Sequence, residues 1–537
     1  MSPASTPFNS RNKDVTTKTV LVCAWPALVL ATVCLLPFLN KAFTIDDPEF
    51  LGIAQQVLKS PLHPTNFDIC WNLVPYCMKL YQITPGNTLM GYALVPTVLG
   101  GAAEWMAHTT QLVFVWVAIL AMSSFVLRMG WSKGHSIAGA LLLVAIPPLL
   151  PMASTAMPDV LALAIGLVGM ERLAAWKDER KWHQGMAAGL ALGLAGIARP
   201  HLVLLLPLGA FFLLESMKPR EILLQIRRSP WLWVPVVTGG LVLVTVILAT
   251  RERGLLLTFP AVYSGREHIR VNLRSYLLFL CFPLPLAACW AAVQWGPRRT
   301  ALTILAATAV ALLVGITQLI LVLIGGYVLA DLLWEAWNNQ DREGLFLGLW
   351  LLVPLPIVYY GHLPIKYLLP CMPALILTCF RLGSAVPKWI VRTAGVLLIV
   401  GGVTYSLLIL RSDAEFANFG RDALNALIRP HVVAGEKVWF ANQFSANWYA
   451  PLAGAELMIP SIREPKRGDL VAVGIYEGGT ETLKTFPSST LVQARTHKYR
   501  FGRTRGEGAG LYTNYFGNWL WTFRSGENER YELWKLK

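Results

Sequence analysis

Charge is what this sequence has least of: Asp, Glu, Lys and Arg make up 14% of its 537 residues, against about 25% in ordinary soluble chains. A soluble enzyme of this length is excluded. Hydrophobic residues supply 55% of the chain, and its mean hydropathy is +0.50. Apolar runs close to bilayer-spanning length recur from Val20 to Leu410, with the charges gathered in short segments between them. Because lipid offers no hydrogen-bond partners to a bare backbone, such a pattern reads as a polytopic helical bundle.

Other absences narrow the class. The eight cysteines give no disulfide framework, since Cys23, Cys34, Cys281, Cys289, Cys371 and Cys379 fall in predicted spans. Only Cys70 and Cys77 can pair outside the membrane, and a spacing that suits two turns of helix favours free thiols there. No His/Cys/Asp spacing makes a zinc site. The glycine-rich run Gly185 to Gly196 sits inside an apolar helix, so it is a packing surface and not a phosphate loop. No small-residue cleavage site surrounds Asn40 to Thr44, so Val20 to Leu39, preceded by Arg11, Lys13 and Lys18, reads as an uncleaved first span. The formal charge of +15 sits mostly at helix ends, where positive-inside topology puts it, so nucleic acid is not an expected partner.

Placing basic residues inside gives a consistent topology of about thirteen transmembrane helices. Residues 1–19 form a cytoplasmic tail, 20–410 the multi-span domain, and 411–537 a soluble α/β domain outside. The first outer loop, 40–108, holds an amphipathic piece (Pro48 to Lys59) and a short apolar one (Thr88 to Ala103). Further spans are expected at 109–128, 135–151, 159–176, 184–198, 200–216, 231–250 and 273–294. Two thin crossings at 300–335 and spans at 344–361, 364–381 and 389–410 complete the set. Positive-inside counting puts the N-terminus in the cytoplasm and the terminal domain on the outer side.

This topology collects the unusual polar groups on the outer side: Asp46, Asp47 and Glu49; Asp159; Arg199 and His201; His362 and Lys366 in a hairpin; and a loop at 251–272 with Arg251, Arg253, Arg266, His268 and Arg270. Carboxylates beside cations at a lipid surface suggest chemistry on an anionic lipid. Plainer readings compete. The acids at 46–49 and Asp159 stand at helix starts, where capping and the macrodipole favour them, and Arg199 suits snorkelling to headgroups.

The order of these elements resembles the membrane-embedded glycosyltransferases of the type-C fold (GT-C), in the bacterial branch related to protein O-mannosyltransferases and the lipid A aminoarabinose transferase. The resemblance rests on Thr44-Ile-Asp46-Asp47-Pro-Glu-Phe50 after the first span and on Met157-Pro158-Asp159 opening the fourth. It rests equally on Gly193-Leu-Ala-Gly-Ile-Ala-Arg199-Pro-His201 and on the hairpin His362-Leu-Pro-Ile-Lys366-Tyr367-Leu-Leu-Pro370. The stretch Ser60-Pro-Leu-His63-Pro-Thr-Asn-Phe67-Asp68-Ile-Cys-Trp71-Asn72 is similar to a pattern of an uncharacterised bacterial subgroup.

The resemblance implies inverting transfer of a sugar from a polyprenyl phosphate donor to a glycan, lipid or protein acceptor. For such a donor the outer side would be the periplasm of a bacterial inner membrane. Asp46 would be the base or acceptor-positioning carboxylate, with Asp47 in the place of the family's second acidic residue. Asp159 would orient the acceptor or help hold a divalent cation, magnesium or manganese, the one cofactor the resemblance leaves room for. Arg199, His201, Arg266, Arg270, His362, Lys366 and Tyr367 would bind phosphate or sugar. A lipid or glycan transporter would instead show repeated halves and mid-membrane polar residues, and neither is visible. A non-catalytic envelope scaffold would not need Asp46 and Asp159 on one face.

Past Arg411 the composition changes. Lys437-Val-Trp-Phe-Ala, Asp469-Leu-Val-Ala-Val-Gly-Ile and Tyr531-Glu-Leu-Trp-Lys-Leu read as strands, with turns at Arg467-Gly468-Asp469 and Gly478-Gly479. The aromatics Trp448, Tyr449, Tyr515, Trp519 and Trp521 offer either a sugar platform or packing surface.

Overall fold

Hydrophobic runs become helices here as the composition demands. A computed structural model describes residues 15–69, 77–83, 87–229, 233–250, 265–280, 326, 329–330, 332–384, 386–441, 444–459, 462–475, 488–500, 502–506, 508–523 and 526–537. Among these residues five helices are long and apolar enough to cross a membrane: Thr17–Phe38, Glu104–Arg128, Arg342–Tyr359, Ile365–Gly383 and Lys388–Val433. Shorter apolar helices are Lys133–Ala145, Pro200–Leu213 and Val234–Ala249. Of the thirteen expected crossings, those at 273–294 and 300–335 lie largely outside the described residues, as do Arg251, Arg253 and the turn at Gly478-Gly479.

The Asp159–Glu179 helix is framed by charge. Asp159 stands in its first turn, and at the far end Arg128 pairs with Glu171 at 2.8 Å and with Glu179 at 3.1 Å. Its 21 residues span about 31 Å at 1.5 Å per residue, close to the hydrocarbon thickness. The glycine-rich helix Trp182–Ala198 packs on it and on Val234–Thr250. Gly189 and Gly239 let the second pair approach closely: a Cβ on Gly189 would meet the Pro235 carbonyl, and one on Gly239 would lie 2.9 Å from the Gly189 carbonyl.

The amphipathic piece of the outer loop is a helix, Asp47–Lys59, that buries Phe50, Leu51, Ile53, Ala54 and Val57. The apolar piece breaks into two short helices, Leu89–Ala93 and Val95–Leu99, with Pro96 at the start of the second. Between these parts Asp68–Ile69 and Met78–Lys79 form an antiparallel ladder. Here the expectation of free thiols is corrected: Cys77 is disulfide-bonded. It borders the Asp68–Ile69 and Met78–Lys79 ladder, which returns the chain on itself; Cys70 lies outside the described residues.

The expected terminal strands all form. They belong to a mixed sheet in the order Glu456–Leu457, Val438–Phe440, Leu470–Gly474, Gly526–Leu536, Ser489–Tyr499. The first three run parallel, Gly526–Leu536 pairs antiparallel onto Leu470–Gly474, and Ser489–Tyr499 pairs antiparallel onto Gly526–Leu536. The composition change at Arg411 is not a break in the chain, because one helix, Lys388–Val433, runs through it. Leu424, Leu427 and Ile428 of this helix and Tyr531 and Leu533 of the sheet join the same apolar core as the membrane helices. The sheet is thereby fixed to the bundle.

Candidate active site

Local backbone shape places the first carboxylate. Ile45 has φ 52°, a left-handed conformation that a β-branched residue adopts only where its surroundings impose it. Asp46 follows at the N-cap position of the Asp47–Lys59 helix, yet its side chain makes no capping bond. Its carboxylate lies instead 3.4 Å from the Lys366 ammonium, with the Asp46 side chain 34% exposed. A reading of Asp46 as a simple cap does not describe it.

Asp47 takes a different part from the one expected. It is fully buried, accepting from the Thr44 amide at 2.9 Å and the Ala156 amide at 2.7 Å, one on each oxygen. These bonds tie the first outer loop to the turn that precedes Asp159. Burial, opposed by the Lys41 charge and the two amides, raises its pKa from 3.8 to about 7.

Asp159 and Arg199 form one unit. The guanidinium donates from Nε to Oδ1 at 3.1 Å and from one terminal nitrogen to Oδ1 and Oδ2, each at 2.7 Å. Both side chains are buried. Arg199 is extended (φ −146°, ψ 115°), as a residue before proline must be, and this ends the glycine-rich helix where the guanidinium reaches Asp159. Arg199 is therefore an ion-pair partner, not a snorkelling cation.

The hairpin completes the cluster. Lys366 is buried, also touching Met157 Sδ at 3.2 Å. The Tyr367 ring stands 4.8 Å from the Arg199 guanidinium carbon and 5.7 Å from the Lys366 ammonium, within cation–π range. His201 and His362 flank that ring at 6.4 Å and 6.1 Å between centroids, His362 stacked upon it. Burial first, then the charges of Lys366, Arg199 and His268, lower the His362 pKa from 6.5 to about 3, so its imidazole is neutral.

The structure thus brings together Asp46, Asp159, Arg199, His201, His362, Lys366 and Tyr367. It does not bring in Arg266 and Arg270. They are exposed on the Arg266–Phe279 helix and form no ion pair among the described residues. That helix reaches the site through its other face, where Asn272 Nδ2 donates to the Tyr360 carbonyl at 2.6 Å.

Two residues that the sequence did not single out support the cluster. Lys41 and Asp413 meet in a fully buried ion pair at 2.6 Å, and Lys41 also donates to the Ser154 carbonyl at 3.0 Å. Asp413 accepts from the Tyr512 hydroxyl at 2.7 Å, and the Tyr512 ring lies 5.7 Å from the Lys366 ammonium. The only signal was a lone charge just past the end of a span. Of the terminal aromatics, Trp448 packs edge-on against Phe43, Tyr449 OH accepts from the Phe43 amide at 2.7 Å, and Trp521 donates to Ser412 at 2.9 Å. These are packing groups, whereas Tyr515 reaches His362 at 5.6 Å.

The arrangement does not fit a divalent cation. Arg199 occupies both oxygens of Asp159 and backbone amides occupy both of Asp47, which leaves Asp46 as the one open carboxylate. No group of three or more His, Cys, Asp or Glu capable of holding a metal ion occurs among the described residues.

The chain is similar to the crystal structure of ArnT from Cupriavidus metallidurans bound to undecaprenyl phosphate, with 13% identity and TM-score 0.50, over 89% of this chain and 96% of that one. The fold is type C. The apo ArnT structure matches at 13% identity and TM-score 0.48, over the same shares of both chains. The arabinofuranosyltransferase AftD from Mycobacteria matches at 11% identity and TM-score 0.42, over 97% of this chain and 40% of that one. No family model and no curated protein matches the sequence.

Proposed function

We propose that this chain is a glycosyltransferase that moves a sugar from a polyprenyl-phosphate-linked donor to a glycan, lipid or protein acceptor, with inversion, at the periplasmic face of a bacterial inner membrane. One observation carries the reading. Asp46 is a partly open carboxylate set against the Lys366 ammonium, with the second carboxylate beside them, Asp159, already neutralised by Arg199. The undecaprenyl phosphate held by the type-C neighbour supports the class of donor. A disulfide at Cys77 supports an oxidising compartment for the first outer loop.

The chemistry follows from these positions. An acceptor hydroxyl gives its proton to Asp46 as its oxygen forms the new bond to the anomeric carbon. The bond from that carbon to the phosphate oxygen breaks, and its electron pair leaves with the polyprenyl phosphate. Lys366 faces the charge that develops there, a role in which a fixed cation lowers the barrier without donating a proton. Asp159 holds Arg199 in place, and the Tyr367 ring steadies both cations.

The test is transfer of radiolabelled sugar from a panel of polyprenyl phosphate sugars by the purified protein, wild type beside Asp46→Asn, with and without a chelator. Product that disappears in Asp46→Asn while undecaprenyl phosphate still binds supports the assignment. Undiminished product in Asp46→Asn removes Asp46 from the mechanism, and no product from any donor favours the scaffold.

A further inference from the structure

Beyond the phosphate-facing cations, the site carries a wall of rings: His201, Tyr367, His362, Tyr360 and Tyr515. His362 is the junction, 5.1 Å from Tyr360, 6.1 Å from Tyr367 and 5.6 Å from Tyr515 between centroids. His201 makes a hydrogen bond with the Tyr367 backbone, and its Nε2 is buried without a partner. A ring nitrogen that donates to a backbone carbonyl leaves the other as an acceptor. A buried acceptor lacking a donor is costly unless a ligand supplies one.

We infer that this wall is the subsite for the donor's glycosyl group, and that it selects a sugar bearing neutral hydroxyls over one bearing a protonated amine. The inference rests on the glycosyltransferase reading and deepens it by naming the class of sugar. Ring faces suit the C–H face of a sugar, and a neutral imidazole both gives and accepts one hydrogen bond, which matches a hydroxyl. Of the carboxylates that would welcome an ammonium, Asp159 is taken up by Arg199, and Asp46, which is partly open, has the Lys366 ammonium beside it to repel a second cation.

The sign of the local field agrees. The charges that act on His362 are Lys366, Arg199 and His268, all cationic when charged. The repulsion that opposes a proton on His362 opposes an ammonium beside it. His201, by contrast, feels the opposed charges of Arg199 and Asp159, which are joined in an ion pair.

The experiment compares glucosyl and glucosaminyl polyprenyl phosphates at neutral pH, each measured by displacement of labelled undecaprenyl phosphate and by transfer. The neutral donor is expected to displace at least about tenfold better, worth 1.4 kcal/mol at the usual conversion. His201→Phe is expected to erase the gain in affinity that the sugar adds over undecaprenyl phosphate alone. His201→Asn, which keeps a polar acceptor, is expected to retain part of it, and thermal unfolding midpoints in detergent close to that of the wild type show that both variants fold. Equal or better displacement by the amino sugar overturns the inference even if both sugars are transferred. Selective displacement without transfer from either donor upholds the subsite and overturns the enzyme reading.

Discussion

Lys41 and Asp413, separated by most of the sequence, meet at 2.6 Å with neither side chain exposed. The pair joins the strand of chain that leads to Asp46 with the helix that carries the terminal sheet. Around it, Asn418 accepts from the Ala42 amide at 2.8 Å and Ser445 donates to the Thr44 hydroxyl at 3.2 Å. The C-terminal part of the chain thus grips the segment from which the candidate base projects.

Removing one partner of such a pair leaves a charge buried without compensation. Asp413→Asn and Lys41→Met are each expected to destabilise the protein by about 3–5 kcal/mol, and Lys41→Met combined with Asp413→Leu to recover much of that loss. Thermal unfolding in detergent of the two single variants and the double variant checks it. Equal loss in single and double variants contradicts the account.

Transfer activity is expected to fall by about 10²–10⁴ in Asp46→Asn, in kcat and not in affinity for undecaprenyl phosphate. A rise in KM with kcat unchanged would make Asp46 a binding residue instead.

Arg199→Lys keeps the charge but not the fork that grips both oxygens of Asp159. Activity is expected to fall at least about tenfold, with donor affinity reduced as well, because a lysine is no substitute at a bidentate site. Steady-state kinetics on donor concentration decides this.

Asp47 gives a pH dependence of defined sign. Its pKa is about 7 in the fold against 3.8 for a free aspartate, so the folded state holds the proton more tightly. The resulting stabilisation is complete at low pH and is lost as pH rises through about 7. The stability of wild type relative to Asp47→Asn is therefore expected to decline between pH 4 and pH 7, measured by unfolding midpoints of both proteins in one buffer series. A flat difference would show that Asp47 is ionised throughout.

The sequence disclosed those parts of the fold that periodicity and capping chemistry control. The Pro48 to Lys59 helix, the terminal strands and the packing role of the Gly185 to Gly196 run were all legible, since each depends on neighbours in sequence. Asp159, Arg199 and Lys366 were legible as charges in apolar surroundings, and Asp46 as one of the acids that follow the first span. Which of two adjacent acids stays open was not, because that depends on the left-handed Ile45 and on an amide at Ala156 more than a hundred positions away. Lys41 and Asp413 escaped for a related reason: each looks like an ordinary helix-end charge until the fold sets them together.

The Lys388–Val433 helix has 46 residues, about 69 Å at 1.5 Å per residue, of which the bilayer core takes only about 30 Å. Its single internal proline, Pro430, falls in the last turn, so no proline kink interrupts the shaft before its end. The terminal sheet is mounted on a mast and not on a tether. The sheet therefore moves as one body with the apolar helices whose core it shares.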